Sequence, residues 1–238
     1  MNTNIFIGSS PNNYDREIEI IYEYSLRKNC KADIEINWMR LSNEKKDFWS
    51  DWKTQKWFTP FSGFRWGIPH FCDFKGRVIY TDVDMINFRD ISDLLEIDMQ
   101  GKPFAARKGI RWGYELCVMV IDCDKAKDHL WKIHKLKSEV DSHQYHRRLL
   151  SNEKFVATID SKWNCLDGED MNINEIYQLH FTNMSTQPWK PSWYKGEHKV
   201  HPRKDILDLY QNYKDEANVY SKLKDIDKTE YVDFEIAL

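Results

Sequence analysis

No stretch of the chain approaches the ~20 apolar residues that a membrane-spanning helix requires. There is no Cys-x-x-Cys pair either. The five cysteines fall at Cys30, Cys72, Cys117, Cys123 and Cys165, without the two-residue spacing of a zinc knuckle or redox motif. The first residues, Met1-Asn2-Thr3-Asn4-Ile5-Phe6-Ile7, lack a basic region and a long apolar run. With an odd number of cysteines, this leads us to expect a cytoplasmic protein with reduced thiols. A Gly-x-Gly-x-x-Gly turn is missing, which argues against a dinucleotide site. Charge of one sign is not in excess. Lys+Arg is 35 against Asp+Glu 38, for a net charge of -3, which argues against general nucleic-acid binding. No repeat, low-complexity tract or Gly/Pro/Ser-rich linker divides the 238 residues, so a single large domain is expected.

What the chain does have is aromatic side chains and periodic apolar patterns. Ten Trp and twelve Tyr can build a core or stack on sugar rings and bases. Ile5-Phe6-Ile7 reads as a strand stopped by Gly8-Ser9-Ser10-Pro11. A helix follows from about Tyr14 to Lys28, with Ile18, Ile21, Tyr22, Ser25 and Leu26 on one face. From Ala32 to Leu41, Ile34, Ile36 and Trp38 alternate with Asp33, Glu35 and Asn37, as in a half-buried strand. Strand, helix, strand is how a nucleotide-binding α/β sheet opens. Ser42 to Thr59 reads as a loop or short helix packed by Phe48, Trp49, Trp52, Trp57 and Phe58. Further strands are expected at Val78–Tyr80, Pro103–Ala106, Leu116–Ile121 and Phe155–Ile159, with Ile176–Phe181 as the last strand of the sheet. Helices are expected over Asp124–Lys137, Asp141–Leu150 and Pro202–Tyr220, and an acidic, mobile tail after Ile226. Residues 1–200 then form the domain, and residues 201–238 a helix and tail packed on it or trailing from it.

The chemistry concentrates where Arg77-Val78-Ile79-Tyr80-Thr81 runs into Asp82-Val83-Asp84. Residues two apart on an extended chain point to one side. Two carboxylates there repel by roughly 4 kcal/mol at about 4 Å and an effective dielectric of about 20. A divalent cation removes that repulsion and leaves positions open for phosphate oxygens. One Asp capping a turn and one solvated is the plainer alternative. The position favours a ligand, because open α/β sheets bind ligands at the carboxyl ends of inner strands. Late in the chain, His180-Phe181-Thr182 precedes Pro188-Trp189-Lys190-Pro191.

The Asp82-x-Asp84 strand end, the late His180 with its Pro-Trp loop, and the Trp163-Asn164 step together resemble glycosyltransferase family 8, of the GT-A type. The resemblance implies an α/β fold: a single GT-A-type, Rossmann-like domain whose mostly parallel central sheet is flanked by helices. It implies a Mn2+ or Mg2+ ion held by Asp82, Asp84 and His180. It also implies a UDP-sugar donor contacted by Gly8, Ser9, Arg65, Asp82, Val83 and Lys190, beneath a closing loop from Thr182 to Trp193. The reaction implied is hexosyl transfer with retention of anomeric configuration, to a glycan, lipid or protein acceptor. Gln144 and Asp170 are the candidates for a polar group on the far face of the sugar. Trp112-Gly113-Tyr114-Glu115 departs from the family's small-residue segment and leaves the sugar open. Two other readings compete: a phosphatase of the haloacid dehalogenase type, which also uses Asp-x-Asp, and a carbohydrate-binding or structural protein with a degenerate transferase fold.

Overall fold

The computed structural model of the chain describes residues 3–109, 113–191 and 194–224. Two sheets share the work. The larger runs in the order β2 (Ile34–Met39), β1 (Thr3–Gly8), β3 (Arg77–Asp82), β6 (Tyr114–Asp122), β5 (Phe104–Lys108), β7 (Val156–Ile159). β1 is parallel to β2 and β3, and β5 is parallel to β7. β6 is antiparallel to both of its neighbours. The reason is local: β5 returns directly into β6, and Gly109 N–H donates to Gly113 O across the turn, too short a link for a parallel crossover. The smaller sheet is β4 (Met85–Asn87), β9 (Gln178–His180), β8 (Cys165–Leu166).

The helices are α1 (Arg16–Asn29), α2 (Ile68–Phe71), α3 (Cys123–Ala126), α4 (Ile133–Ser138), α5 (Ser142–Leu149) and α6 (Lys204–Lys224). α1 buries the five residues expected from its periodicity. α6 packs on α1. Tyr24 meets Tyr213 edge-on at 6.2 Å, and Lys28 pairs with Glu216 at 2.5 Å. The tail after Ile226 lies outside the described residues, as do Trp112 and Trp193. No helix among the described residues is long and apolar enough to cross a membrane.

Four expectations need correction. The helix over Asp124–Lys137 is broken: Leu130 and Lys132 are extended, with ψ 146° at each. Buried histidines hold the break open. His146 Nδ1–H donates to Ser142 O, and its Nε2 accepts the Trp131 N–H at 3.3 Å. Burial pushes the His146 pKa down to about 4, so the ring stays neutral and can accept. Ile176–Phe181 is not the last strand of the main sheet. Its core, β9, is the centre of the second sheet. The segment 42–59 is aromatic-packed as expected, but through Trp49, Trp52 and Trp57, while Phe58 is 91% exposed. The helix expected over Asp141–Leu150 runs Ser142–Leu149 and is partly inside: Ser142, His143 and His146 are buried, and His143 Nδ1 accepts from Trp66 Nε1 at 3.2 Å.

The aromatic segment has a function in the fold. Trp52 and Trp57 close on Phe64 with centroid distances of 5.3 and 5.7 Å, fixing the 3-10 turn Phe64–Trp66. Gly63 begins that turn because nothing larger fits: a Cβ there would stand 2.3 Å from the Trp57 ring. Gly63→Ala should therefore destabilise. Overpacking costs about 1–3 kcal/mol, which outweighs the gain of about 0.4–1 kcal/mol from a stiffer unfolded chain. A lowered urea midpoint with an unchanged m-value is the expected reading, and an unchanged midpoint would show that Trp57 is free to move aside.

Candidate functional site

The site forms where the two sheets meet. β1 and β3 end side by side, with Gly8 opposite Asp82. The chain then turns through Val83 and Asp84 into β4, leaving one sheet for the other. β4 pairs with β9 so that Met85 faces His180, and Phe181 N–H donates to Asp84 O at 2.9 Å. Register alone thus sets Asp84 beside His180, nearly a hundred residues away in sequence. On the other flank, the last ladder pair of β3 and β6 is Thr81–Val118. One step further along puts Asp82 across from Cys117.

Asp82 is anchored from inside the protein. Its Oδ1 accepts from Arg65 Nη2 at 3.0 Å and from the Tyr80 hydroxyl. The other Arg65 nitrogens are also bonded to protein, Nε to Ser62 O at 2.8 Å and Nη1 to Leu116 O, and the guanidinium lies 4.3 Å from the centre of the Tyr80 ring. Burial works against the Arg65 charge, but the oxygens of Tyr80 and Asp82 outweigh it and hold its pKa above the ordinary value. Arg65 and Tyr80 both bond Oδ1, and the Cys117 thiol bonds the same carboxylate.

At Asp84 a carboxylate oxygen faces an imidazole nitrogen. His180 is buried, and its Nδ1 lies 3.0 Å from Asn164 Oδ1. With its amide oxygen toward the ring, Asn164 accepts from Nδ1–H, and Nε2 turns to Asp84 its lone pair, or its proton when the ring is charged. That Nε2 is 3.3 Å from Asp84 Oδ1, a buried oxygen with no hydrogen-bond partner. Only a proton or a cation between them makes the contact favourable. Burial alone would push the His180 pKa down. The carboxylate of Asp84, then those of Asp82 and Asp167, reverse this and raise it above 6.5. Asp82, Cys117 and His180 also each bring a ligand atom within 4.8 Å of the other two. An orphaned carboxylate oxygen, a fixed imidazole nitrogen and a second carboxylate oxygen are a donor set that suits a divalent metal ion.

Beside this cluster opens a cavity of about 360 Å³, its wall formed in part by Ser10, Asp15, Phe58, Val83, Asp84 and Trp189. Val83 and Asp84, expected at the donor and the metal, stand on this wall. Several other residues do not. Gly8 and Ser9 lie behind it. Gly8 leaves room for Phe61, whose ring a Cβ would meet at 2.6 Å, and Ser9 Oγ bonds Glu19 Oε1 at 2.6 Å. Their neighbour Ser10 faces the cavity instead. Arg65 supports Asp82 and is absent from the wall. Lys190 Nζ is bonded to Met184 O and Ser185 O at 3.1 and 2.8 Å, so it ties its own loop rather than reaching into the cavity. Gln144 is half-buried on α5 and Asp170 is exposed, and neither lines the cavity. The loop after β9 is already seated. Trp189 is buried, stacked on Tyr210 at 5.8 Å and edge-on to Phe181 at 5.2 Å. Asp167 pins its first residue by accepting from Thr182 N and Oγ1 at 3.1 and 2.8 Å.

Sequence reasoning missed Cys117, Asp15 and Asp167. Cys117 and Asp167 carry no motif, and only the strand registers bring them to the site. Asp15 falls at the start of the helix expected from about Tyr14. It is buried, and its Oδ2 accepts from Ser10 N at 2.8 Å and Ser9 Oγ at 3.3 Å. Burial, only partly offset by those bonds, pushes its pKa up to about 6. The folded state therefore prefers the protonated acid. That contribution is fully present below the unfolded value of 3.8 and is lost as the pH rises through about 6. Relative to Asp15→Asn, which does not titrate, the wild-type protein should lose on the order of 2–3 kcal/mol of stability between pH 4 and pH 7. Parallel urea titrations of the two proteins at those pH values measure it, and equal pH slopes would show that the carboxyl is solvated.

No protein-family model matches the chain, and no curated protein sequence matches it. Solved structures do. The glycosyltransferase GlyE of Streptococcus pneumoniae TIGR4 superposes with a TM-score of 0.61 at 17% identity, over 93% of this chain and 64% of that one. The galactosyltransferase LgtC, solved with donor and acceptor sugar analogs, gives 0.60 at 12% identity, over 88% of this chain and 96% of that one. Mouse xyloside xylosyltransferase 1 gives 0.52 at 10% identity, over 76% and 98%. The chain thus spans less than two thirds of GlyE and nearly all of LgtC. The fold expected from the Asp82–Asp84 strand and His180 is the fold found: the chain has the GT-A-type architecture of glycosyltransferases, with a mostly parallel sheet flanked by helices.

Proposed function

We propose that the protein is a metal-dependent glycosyltransferase that moves a hexose from a nucleotide donor, UDP being the expected nucleotide, to a glycan, lipid or protein acceptor with retention of configuration. The observation that carries this reading is the contact between Asp84 Oδ1 and His180 Nε2, 3.3 Å apart behind a cavity that Asp84 lines. Asp82, Asp84 and His180 would hold Mn2+ or Mg2+. A divalent ion there supplies Lewis-acid neutralisation of the charge that builds on a departing diphosphate. The chain's own part is positioning. Arg65 and Tyr80 fix Asp82, and Asn164 fixes the His180 tautomer. Phe58, Phe61 and Trp189 give the cavity apolar walls that keep water from the sugar–phosphate bond. The phosphatase alternative is disfavoured. Asp82 lies on the third strand, and its Oδ1 is blocked by Arg65 and Tyr80 rather than poised as a nucleophile.

Asp84→Asn and His180→Ala should each weaken Mn2+ binding by about tenfold or more, as judged from the 10–100-fold cost of losing even an outer partner. Proton and metal compete for Nε2. Because the His180 pKa is raised above 6.5, the wild-type affinity should begin to fall above that pH as the solution is acidified. Calorimetry with Mn2+ and UDP across pH measures both effects. Wild-type affinity in the His180→Ala protein would remove that residue from the centre.

The walls bear on the stereochemical outcome. Two carboxylates line the cavity among the described residues. Asp84 faces His180, and Asp15 Oδ2 is taken by Ser10 N. Asp84 is thus engaged, and Asp15, held through Oδ2, is the one carboxylate on the described wall left to serve as the general base that an inverting displacement needs. Attack from the leaving-group side, with the departing phosphate oxygen taking the proton, needs no such base. By that route an α-linked donor should give an α-linked product, read from the anomeric proton signal. A β-linked product would overturn retention and point to Asp15 as the base.

A further inference from the structure

Cys117 is the one side chain at this centre to which the reading above gives no role. It sits on β6 across from Asp82, and it is half-buried where the four residues after it, Val118 to Ile121, are fully buried. Its Sγ belongs to the group in which Asp82, Cys117 and His180 bring ligand atoms within 4.8 Å of one another. The Cys117 thiol bonds the Asp82 carboxylate, and burial with that carboxylate holds its pKa well above the ordinary thiol value, so a cation has to displace the thiol proton; the His180 ring is held by Asn164. The buried, unpartnered Asp84 Oδ1 marks the same spot from a fourth side.

We infer that Cys117 is a metal ligand and that the centre prefers Zn2+ to Mn2+. The inference rests on the reading of this site as a metal centre. Oxygen donors suit Mn2+, whereas a thiolate beside an imidazole selects zinc-like ions, and the same sites hold Zn2+ more tightly than Mn2+ in general. With Asp84, the thiolate, imidazole and carboxylate make four protein ligands, so a substrate oxygen would enter by expansion to five-coordination, as catalytic zinc allows. Zn–ligand distances of 2.0–2.3 Å put tetrahedral ligand atoms roughly 3.5 Å apart, so atoms within 4.8 Å of one another close by side-chain rotation. On binding, the thiol gives its proton to solvent and the sulfur electron pair to the metal, with no change of oxidation state. The ligand is thus a zinc-class ion whose fifth position takes a phosphate oxygen.

Cobalt reports the bond directly. Co2+ added to the full chain should give the intense near-ultraviolet band of thiolate-to-cobalt charge transfer, and Cys117→Ser should abolish it. By competition, that variant should also lose about tenfold or more of its preference for Zn2+ over Mn2+. The wild-type chain provides a check that needs no variant. Zn2+ should slow alkylation of Cys117 while leaving that of the half-buried Cys30 and Cys72 unchanged, as read by peptide mass. Metal binding that depends on Asp82, as shown by its loss in Asp82→Asn, but shows no thiolate band and no protection of Cys117 would overturn the inference and leave the metal centre standing. Asp82→Asn and His180→Ala proteins that bind metal like wild type would overturn both.

Discussion

Asp82 has to be a carboxylate in a place where a carboxylate is costly, and Arg65 is what holds it there. The pair is nearly dry, with the two side chains 5% and 13% exposed. Breaking such a pair from one side leaves a buried charge and costs about 3–5 kcal/mol. The pair is tolerable because every guanidinium nitrogen has a partner and the Tyr80 ring covers the cation. Arg65 in turn is held by the turn Phe64–Trp66, and that turn by the tryptophans of the segment before it. The tryptophans of the segment 42–59 are thus a scaffold beneath one carboxylate.

The second constraint is the step between sheets. Val83 and Asp84 are the two residues in which the chain leaves β3 and enters β4. A strand that simply continued would carry Asp84 onward beside Asp82. The turn instead hands it to β9, whose register against β4 delivers His180. The result is a buried contact between Asp84 Oδ1 and His180 Nε2 that only a proton or a cation makes favourable. Native interiors rarely leave such atoms unpartnered, and where they do the group usually has work outside the fold.

The alternating and 3.6-residue patterns made the opening strand, helix and strand legible, along with the buried strands on either side of Asp82, because each depends on its own residues. The Asp82–Asp84 pair was legible for the same reason. His180 was reached only through resemblance to a family, since nothing in its neighbours shows that it will pair opposite Met85. Cys117 was not legible at all, because its place depends on β6 running antiparallel. The break at Leu130–Lys132 was hidden likewise: the apolar spacing is helical, and the cause of the break is His146, fourteen residues beyond the last broken position. Arg65 was found for one role and sits in another, because a sequence shows that a cation is near a site but not which way it faces.

The central claim is that this centre exists to take a nucleotide sugar with a metal ion. The most direct measurement is a panel of nucleotide sugars incubated with the protein, with Mn2+ or Zn2+ and with chelator, scored for release of the nucleoside diphosphate. Release from one donor, dependent on metal and lost in Asp82→Asn, is the predicted result. Release of inorganic phosphate from an aryl phosphate, or glycan binding unaffected by metal with no turnover of any donor, would contradict it.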